Sequence, residues 1–298
     1  MKGNTALSTG KAPFIAMKPK HLKQITHLGV SLILPVLFLI FWELGARSID
    51  NNAILPRVST VFLNFIHAFD NFIGIGSIPK NIGFSLVRVL LGYLLGAVIA
   101  LPLGLVMGYF PIIRVFFENF ISLFKPIPSI ALMPLVLGWF GISSLARVLQ
   151  IPYGQSFALL DNFKLSMIFL IALGAFFPIW GSTMFGVSNV RQVLIESAKV
   201  LGGSSKDIFL KVLLPAAGPT ILNGLRMGLT ASWACLVAAE MLPGSMSGVG
   251  YLITHAYELT RMDLVITGII CIGLIGAFLD GVFRTIARRY FSWENKVK

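Results

Sequence analysis

Runs of about twenty mostly apolar residues, the length a helix needs to cross a hydrocarbon core, recur along this sequence and restrict what it can fold into. Five or six qualify: residues 28–46, 84–107, 116–140 (interrupted by Pro126, Pro128 and Pro134), 165–185, 219–242 and 264–286. A soluble domain could not hide so much apolar surface. Of 298 residues, 56% are hydrophobic and 12% charged, and the mean hydropathy is +0.85, whereas soluble domains carry about 25% charged residues. The expected fold is an all-α membrane protein of about six transmembrane helices.

The formal charge of +12, from 24 Lys and Arg against 12 Asp and Glu, would suggest nucleic acid in a soluble chain. Here the cations cluster at the ends of the apolar runs, so membrane topology accounts for them. Lys2, Lys11, Lys18, Lys20 and Lys23 precede the first run; Arg191, Lys199, Lys206 and Lys211 lie between the fourth and fifth; Arg284, Arg288, Arg289, Lys296 and Lys298 end the chain. With six spans these three regions fall on one side, and the positive-inside rule places both termini in the cytoplasm. The first run lacks a small-x-small cleavage site after it, so it reads as an uncleaved helix rather than a secretory signal. The expected organisation is a basic tail over 1–27, disordered up to about His21, a transmembrane domain over 28–290 and a short cytoplasmic tail over 291–298. Between the first two runs, Val61, Phe62, Phe65, Phe69 and Phe72 at helical spacing, with Asn64, His67, Asp70 and Asn71 interleaved, predict an outer amphipathic helix over 58–72. A short re-entrant or interfacial helix is expected near residues 250–259.

No cluster of His, Cys and carboxylates has metal-ligand spacing, and Cys235 and Cys271 read as small core residues. No glycine-rich loop ending in G-K-S/T is present, so the chain binds no ATP by that route. Nothing resembles a catalytic site.

The segment at about 190–215 carries the strongest signal. It reads as two short amphipathic helices, 190–201 and 205–213, with Gly202-Gly203 permitting a tight turn, Ser204 or Ser205 as cap and Pro215 ending the pair. Within it, Glu196-Ser197-Ala198, then three residues, Gly202, then nine residues, precede Val212-Leu213-Leu214-Pro215. This resembles the E-A-A, three residues, G, nine residues, I-x-L-P signature of the permeases of ATP-driven (ABC-type) importers. Ser197 stands for the first Ala and Val212 for the Ile. Further stretches look like the nitrate, taurine and aliphatic-sulfonate branch. They are 85–92 (SLVRVLLG), 125–131 (KPIPSIA) with 139–142 (WFGI), 172–178 (ALGAFFP), 224–228 (GLRMG) with 239–241 (AEM), 248–250 (GVG) and 288–293 (RRYFSW).

The resemblance implies a type I importer permease in the bacterial inner membrane. Its cytoplasmic hairpin, with Glu196, Ala198, Gly202, Val212, Leu214 and Pro215, would seat in a separate ATPase subunit that binds ATP and Mg. It further implies a second permease copy across a twofold axis, an extracytoplasmic solute-binding protein, and a small anionic solute such as nitrate, a sulfonate or taurine. Arg88, Lys125, Arg226 and Glu240 lie in or near the spans and are candidate pathway residues, because ionisable groups at membrane depth face an interior or a partner. The alternative role for Arg88 and Arg226 is pairing with carboxylates or carbonyls to hold helices together. A secondary transporter working without ATPases is the rival class; it predicts inverted repeats, and the two halves show no self-similarity. The chain departs from the family pattern once, with an insert over 143–164 where connections are usually 2–8 residues long. It is either a docking or capping element on the outer face or a tolerated surface insertion.

Overall fold

The computed structural model describes residues 20–242 and 244–290; of the expected tails, residues 1–19 and 291–298 lie outside that range. Among the described residues all regular structure is helical, apart from one antiparallel bridge between Ser144 and Lys164. The chain divides into two compact units, residues 1–58 and 59–298.

The first unit holds α1, Lys20–Ile49, which contains the first predicted span and begins ahead of it. Leu34, Phe38 and Phe41 project outward, as on a helix that is apolar all round and meets lipid. Beyond its end the chain doubles back. Glu43 pairs with Arg47 at 2.9 Å and accepts the Val58 N–H at 3.1 Å, while Trp42 Nε1 donates to the Pro56 carbonyl at 3.0 Å.

In the second unit α2, Val58–Ile66, is shorter than the expected 58–72 helix. Asn71 Oδ1 accepts the Gly76 N–H at 2.7 Å, and Ile73, Gly74 and Gly76 take positive φ; a side chain that bonds the local backbone competes with helix continuation. The expected faces of this segment hold in part: Val61 is buried, Phe65 and Phe72 pack against Ile78, Val249 and Cys271, and His67, Asp70 and Asn71 are exposed, but Asn64 and Phe62 depart from them. Asn64 is buried, donating to Asp263 and Thr267 at 3.2 Å each, while Phe62, Leu63 and Ile66 are exposed.

The long helices follow: α3, Ile78–Tyr109; α4, Pro111–Phe124; α5, Met133–Phe140; the short α6, Leu145–Val148, and α7, Gln155–Asp161; α8, Leu165–Ser188; α9, Gln192–Val200; α10, Ser205–Asp207; α11, Leu214–Glu240; α12, Val249–Glu258; and α13, Met262–Tyr290. By length and composition, α3, α8, the run Ser205–Glu240 and α13 can each cross a membrane. The third expected span is two helices instead of one. The segments Pro111–Phe124 and Ser129–Phe140 meet at 80°, because Pro126 and Pro128 remove two consecutive chances to close a helical turn.

The packing of α3 on α8 has a plain sequence cause. Gly92, Gly96, Ala100, Gly104 and Gly108 recur every fourth residue and form a ridge without side chains, so the two backbones approach closely. A Cβ at Gly96 would sit 2.5 Å from the Ala172 carbonyl, and one at Gly104 would sit 2.7 Å from Thr183. On an adjoining face of α8, Gly224 and Gly228 of α11 play the same part against Ser182 and Ile179. Polar bonds fix the register: Ser232 to the Ile171 carbonyl at 3.1 Å, and Tyr93 to the Leu225 carbonyl at 3.2 Å. Gly96→Leu is therefore expected to abolish folded protein, since overpacking costs about 1–3 kcal/mol even where neighbours can shift and here the obstacle is backbone. Monodisperse yield after detergent extraction checks this; a wild-type yield would mean that the helices can separate.

Candidate functional site: a hairpin, a groove and a sealed ion pair

The expected hairpin is present, built as its local residues dictate. Helix α9 ends where Gly202 takes φ +80°, and Gly203 N donates to the Ala198 carbonyl at 2.9 Å. The space around Gly202 is open, so its requirement is backbone conformation alone. Ser204 caps the next helix by accepting the Asp207 N–H at 3.2 Å, and Lys211 pairs with Asp207 at 2.6 Å. Tyr109 packs edge-on against Phe209 with ring centroids 5.4 Å apart, anchoring the hairpin to the end of α3. Glu196 stays exposed on α9. At the tip, Val200 and Leu201 are 88% and 87% exposed among the described residues.

Pro215 does not end the hairpin. The chain continues from Ser205 to Glu240 as one 36-residue helix, about 50 Å long at 1.5 Å per residue. Residues Ile208–Leu213, Val212 among them, form a π-helical segment in which Leu214 N donates to the Phe209 carbonyl. The wider turn places Pro215, which has no N–H to give, in the first turn of α11, where a helix tolerates it.

Lys125 lies exposed at the end of α4, on the rim of a groove of about 810 Å³ between the α4–α5 break, α8 and α11. The Arg114–Glu118 pair, 2.8 Å apart, shares the rim. No carboxylate among the described residues stands within ion-pair distance of Lys125. Ser129, Ser182, Thr220 and Asn223 give the groove hydrogen-bonding groups. Pro178 cannot donate to the Gly174 carbonyl, and both residues line the same groove. Arg226 lies elsewhere, paired with Asp280, which also takes Arg284 at 2.7 Å; it borders a more apolar cleft of about 780 Å³.

Arg88 and Glu240 are brought together and enclosed, both 0% exposed and 2.5 Å apart. Glu240 also accepts from Ser85 at 2.9 Å and from Gly250 N at 3.0 Å. Arg88 donates to the Ser247 carbonyl and hydroxyl, at 2.7 and 2.6 Å, and to the Asn162 carbonyl at 3.0 Å. Each nitrogen of the Arg88 guanidinium and each carboxylate oxygen of Glu240 thus has a partner within one chain, the condition under which a buried ion pair is tolerated. Asn162 and Ser247 were not singled out by sequence reasoning, because their partners lie in distant segments.

The insert is ordered on the bundle. Leu145 N donates to the Phe163 carbonyl and Leu165 N to the Ser143 carbonyl, both at 3.0 Å, which closes its neck. Inside the neck Asp161 accepts from Ser144 at 2.6 Å and pairs with Lys164 at 2.9 Å. These bonds, the Ser144 hydroxyl foremost, hold the Asp161 carboxyl below its ordinary 3.8. A depressed carboxyl stabilises the neck at all pH above its unfolded value and loses that contribution as pH falls through the folded one. A spin label at Tyr153→Cys should therefore stay equally ordered from neutral pH down to about 4 and loosen below it; loosening already at pH 6 would assign the neck to another group.

Helices long and apolar enough to cross a membrane, with an exposed apolar knob on one hairpin, define a multi-pass membrane protein. Residues 100–292 match the family of binding-protein-dependent transport system inner membrane components, and the chain belongs to that family. A putative ABC transporter permease protein of Methanocaldococcus jannaschii is 44% identical over 91% of this chain and 94% of its own length. A putative aliphatic sulfonates transport permease protein of Bacillus subtilis is 31% identical over 99% and 98%. Among solved structures, an inward-facing MetNI methionine ABC transporter chain shares the fold, with TM-score 0.57 and 17% identity over 72% of this chain and 95% of that one.

Proposed function

We propose that this chain is the pathway-forming subunit of an ATP-driven importer for a small anionic solute of the sulfonate type. Two copies enclose the pathway across a twofold axis. A separate ATPase subunit that binds ATP and Mg grips the hairpin through Val200 and Leu201 on the cytoplasmic side, where both termini lie. A solute-binding protein delivers the solute at the other end. The observation that carries the reading is the knob itself: two large apolar side chains, almost wholly exposed, on a rigidly capped turn that starts a helix lining the groove. Exposed apolar pairs of this kind mark contact sites.

The anion preference rests on Lys125, a cation without a carboxylate partner on a groove whose other polar groups are neutral or already paired. Its field acts on an ion that has shed part of its hydration. The test is uptake of taurine into vesicles holding the complex with its ATPase and binding protein. Uptake should require ATP, and Lys125→Met should lower the rate per assembled complex about tenfold, a small part of what one unit charge can contribute at close range. Wild-type uptake by assembled Lys125→Met complexes would remove Lys125 from the pathway, and uptake without any ATPase would favour a secondary transporter.

A further inference from the structure

The insert and the hairpin sit at opposite ends of one continuous helix, and the insert is fastened to that helix through a relay of side chains. Asn162, at the neck of the insert, takes two bonds from the bundle. Its carbonyl accepts from Arg88 Nε at 3.0 Å, and its Oδ1 accepts from the Ser247 hydroxyl at 2.9 Å. The same Ser247 hydroxyl accepts from Arg88 at 2.6 Å, and Arg88 reaches Glu240, the last residue of α11. A tolerated surface insertion would need none of these bonds.

We propose that Asn162, Ser247, Arg88 and Glu240 are positioning residues that join the insert to α11, so that a solute-binding protein docking at this end moves the hairpin at the other. This inference rests on the importer reading above. The joint is suited to transmission because it is buried and holds a hydrogen-bonded charge pair that resists partial opening, while the chain from Ser205 to Glu240 runs as one helix through the π segment at Ile208–Leu213.

The experiment uses the complete complex in lipid nanodiscs with its ATPase and binding protein, comparing ATP hydrolysis alone and with substrate-loaded binding protein. Asn162→Ala removes the Ser247–Asn162 bond but keeps the backbone carbonyl that Arg88 uses. It should cut the stimulation at least about fivefold, the lower range for allosteric coupling, with the unstimulated rate and complex yield unchanged. Ser247→Ala, which also takes an acceptor from Arg88, should cut it at least as far. The double variant should be no worse than Ser247→Ala, since the Ser247–Asn162 bond is already lost there. Asn162→Asp keeps the acceptor and should retain stimulation. Full stimulation in Asn162→Ala overturns the inference, as does a fall in stimulated and unstimulated rates together, which marks a merely structural bond. If the wild-type chain captures no ATPase, or its complex is indifferent to the binding protein, the importer reading fails instead.

Discussion

Glu240→Ala is expected to cost about 3–5 kcal/mol, the range measured when one partner of a buried ion pair is removed. The guanidinium of Arg88 would remain 0% exposed with its counter-ion gone, and Ser85 and Gly250 N would lose their acceptor. Glu240→Gln keeps one acceptor oxygen but removes the charge and turns the other oxygen into an amide donor facing an N–H, so it should fall between wild type and Glu240→Ala. Adding Arg88→Met to Glu240→Gln should recover part of the loss, because it removes the uncompensated charge; the two single effects then fail to add. Thermal unfolding in detergent with monodisperse yield measures all four chains. A Glu240→Ala protein as stable as wild type would show that water or another group reaches Arg88.

Leu201→Asp should leave the bundle untouched and disable assembly. Leu201 is 87% exposed among the described residues, so folding stability should change by no more than about 0.5 kcal/mol. In the proposed socket of the ATPase the carboxylate would be desolvated without a partner. A central anchor of an interface is worth about 2 kcal/mol or more, some thirtyfold in affinity. The readout is co-purification of the ATPase alongside yield and melting of the permease. Normal assembly of the variant would move the contact away from the hairpin tip.

What could be read in the sequence, and what could not, divides by distance along the chain. The hairpin was legible because the residues that turn and cap it are local, Gly202 and Ser204, although its anchor on Tyr109 is not. The broken third span was legible as prolines, though not its 80° angle, which depends on what α4 and α5 pack against. Pro215 was misread as a stop because a π turn, invisible in composition, accommodates it. The side of α2 on which Asn64 lies was misread for a related reason. Polar residues on a surface helix usually face water, but the partners of Asn64 are Asp263 and Thr267, some two hundred residues on. Arg88 and Glu240 were flagged as ionisable groups at membrane depth, but nothing local says that they meet, or that Asn162 of the insert joins them. The small-residue ridge of α3 was readable at every fourth position and went unused.

The π segment at Ile208–Leu213 has a geometric outcome beyond housing Pro215. A wide turn takes one residue more than an α turn, and each residue advances a helix by about 100°. The direction in which the Val200–Leu201 knob points, measured around the axis of α11, is therefore a phase set by that single extra residue and not by any contact the knob makes. A chain that closed this turn as ordinary α-helix would carry the same two side chains aimed roughly a quarter-turn away, and would fit a socket cut at a different bearing.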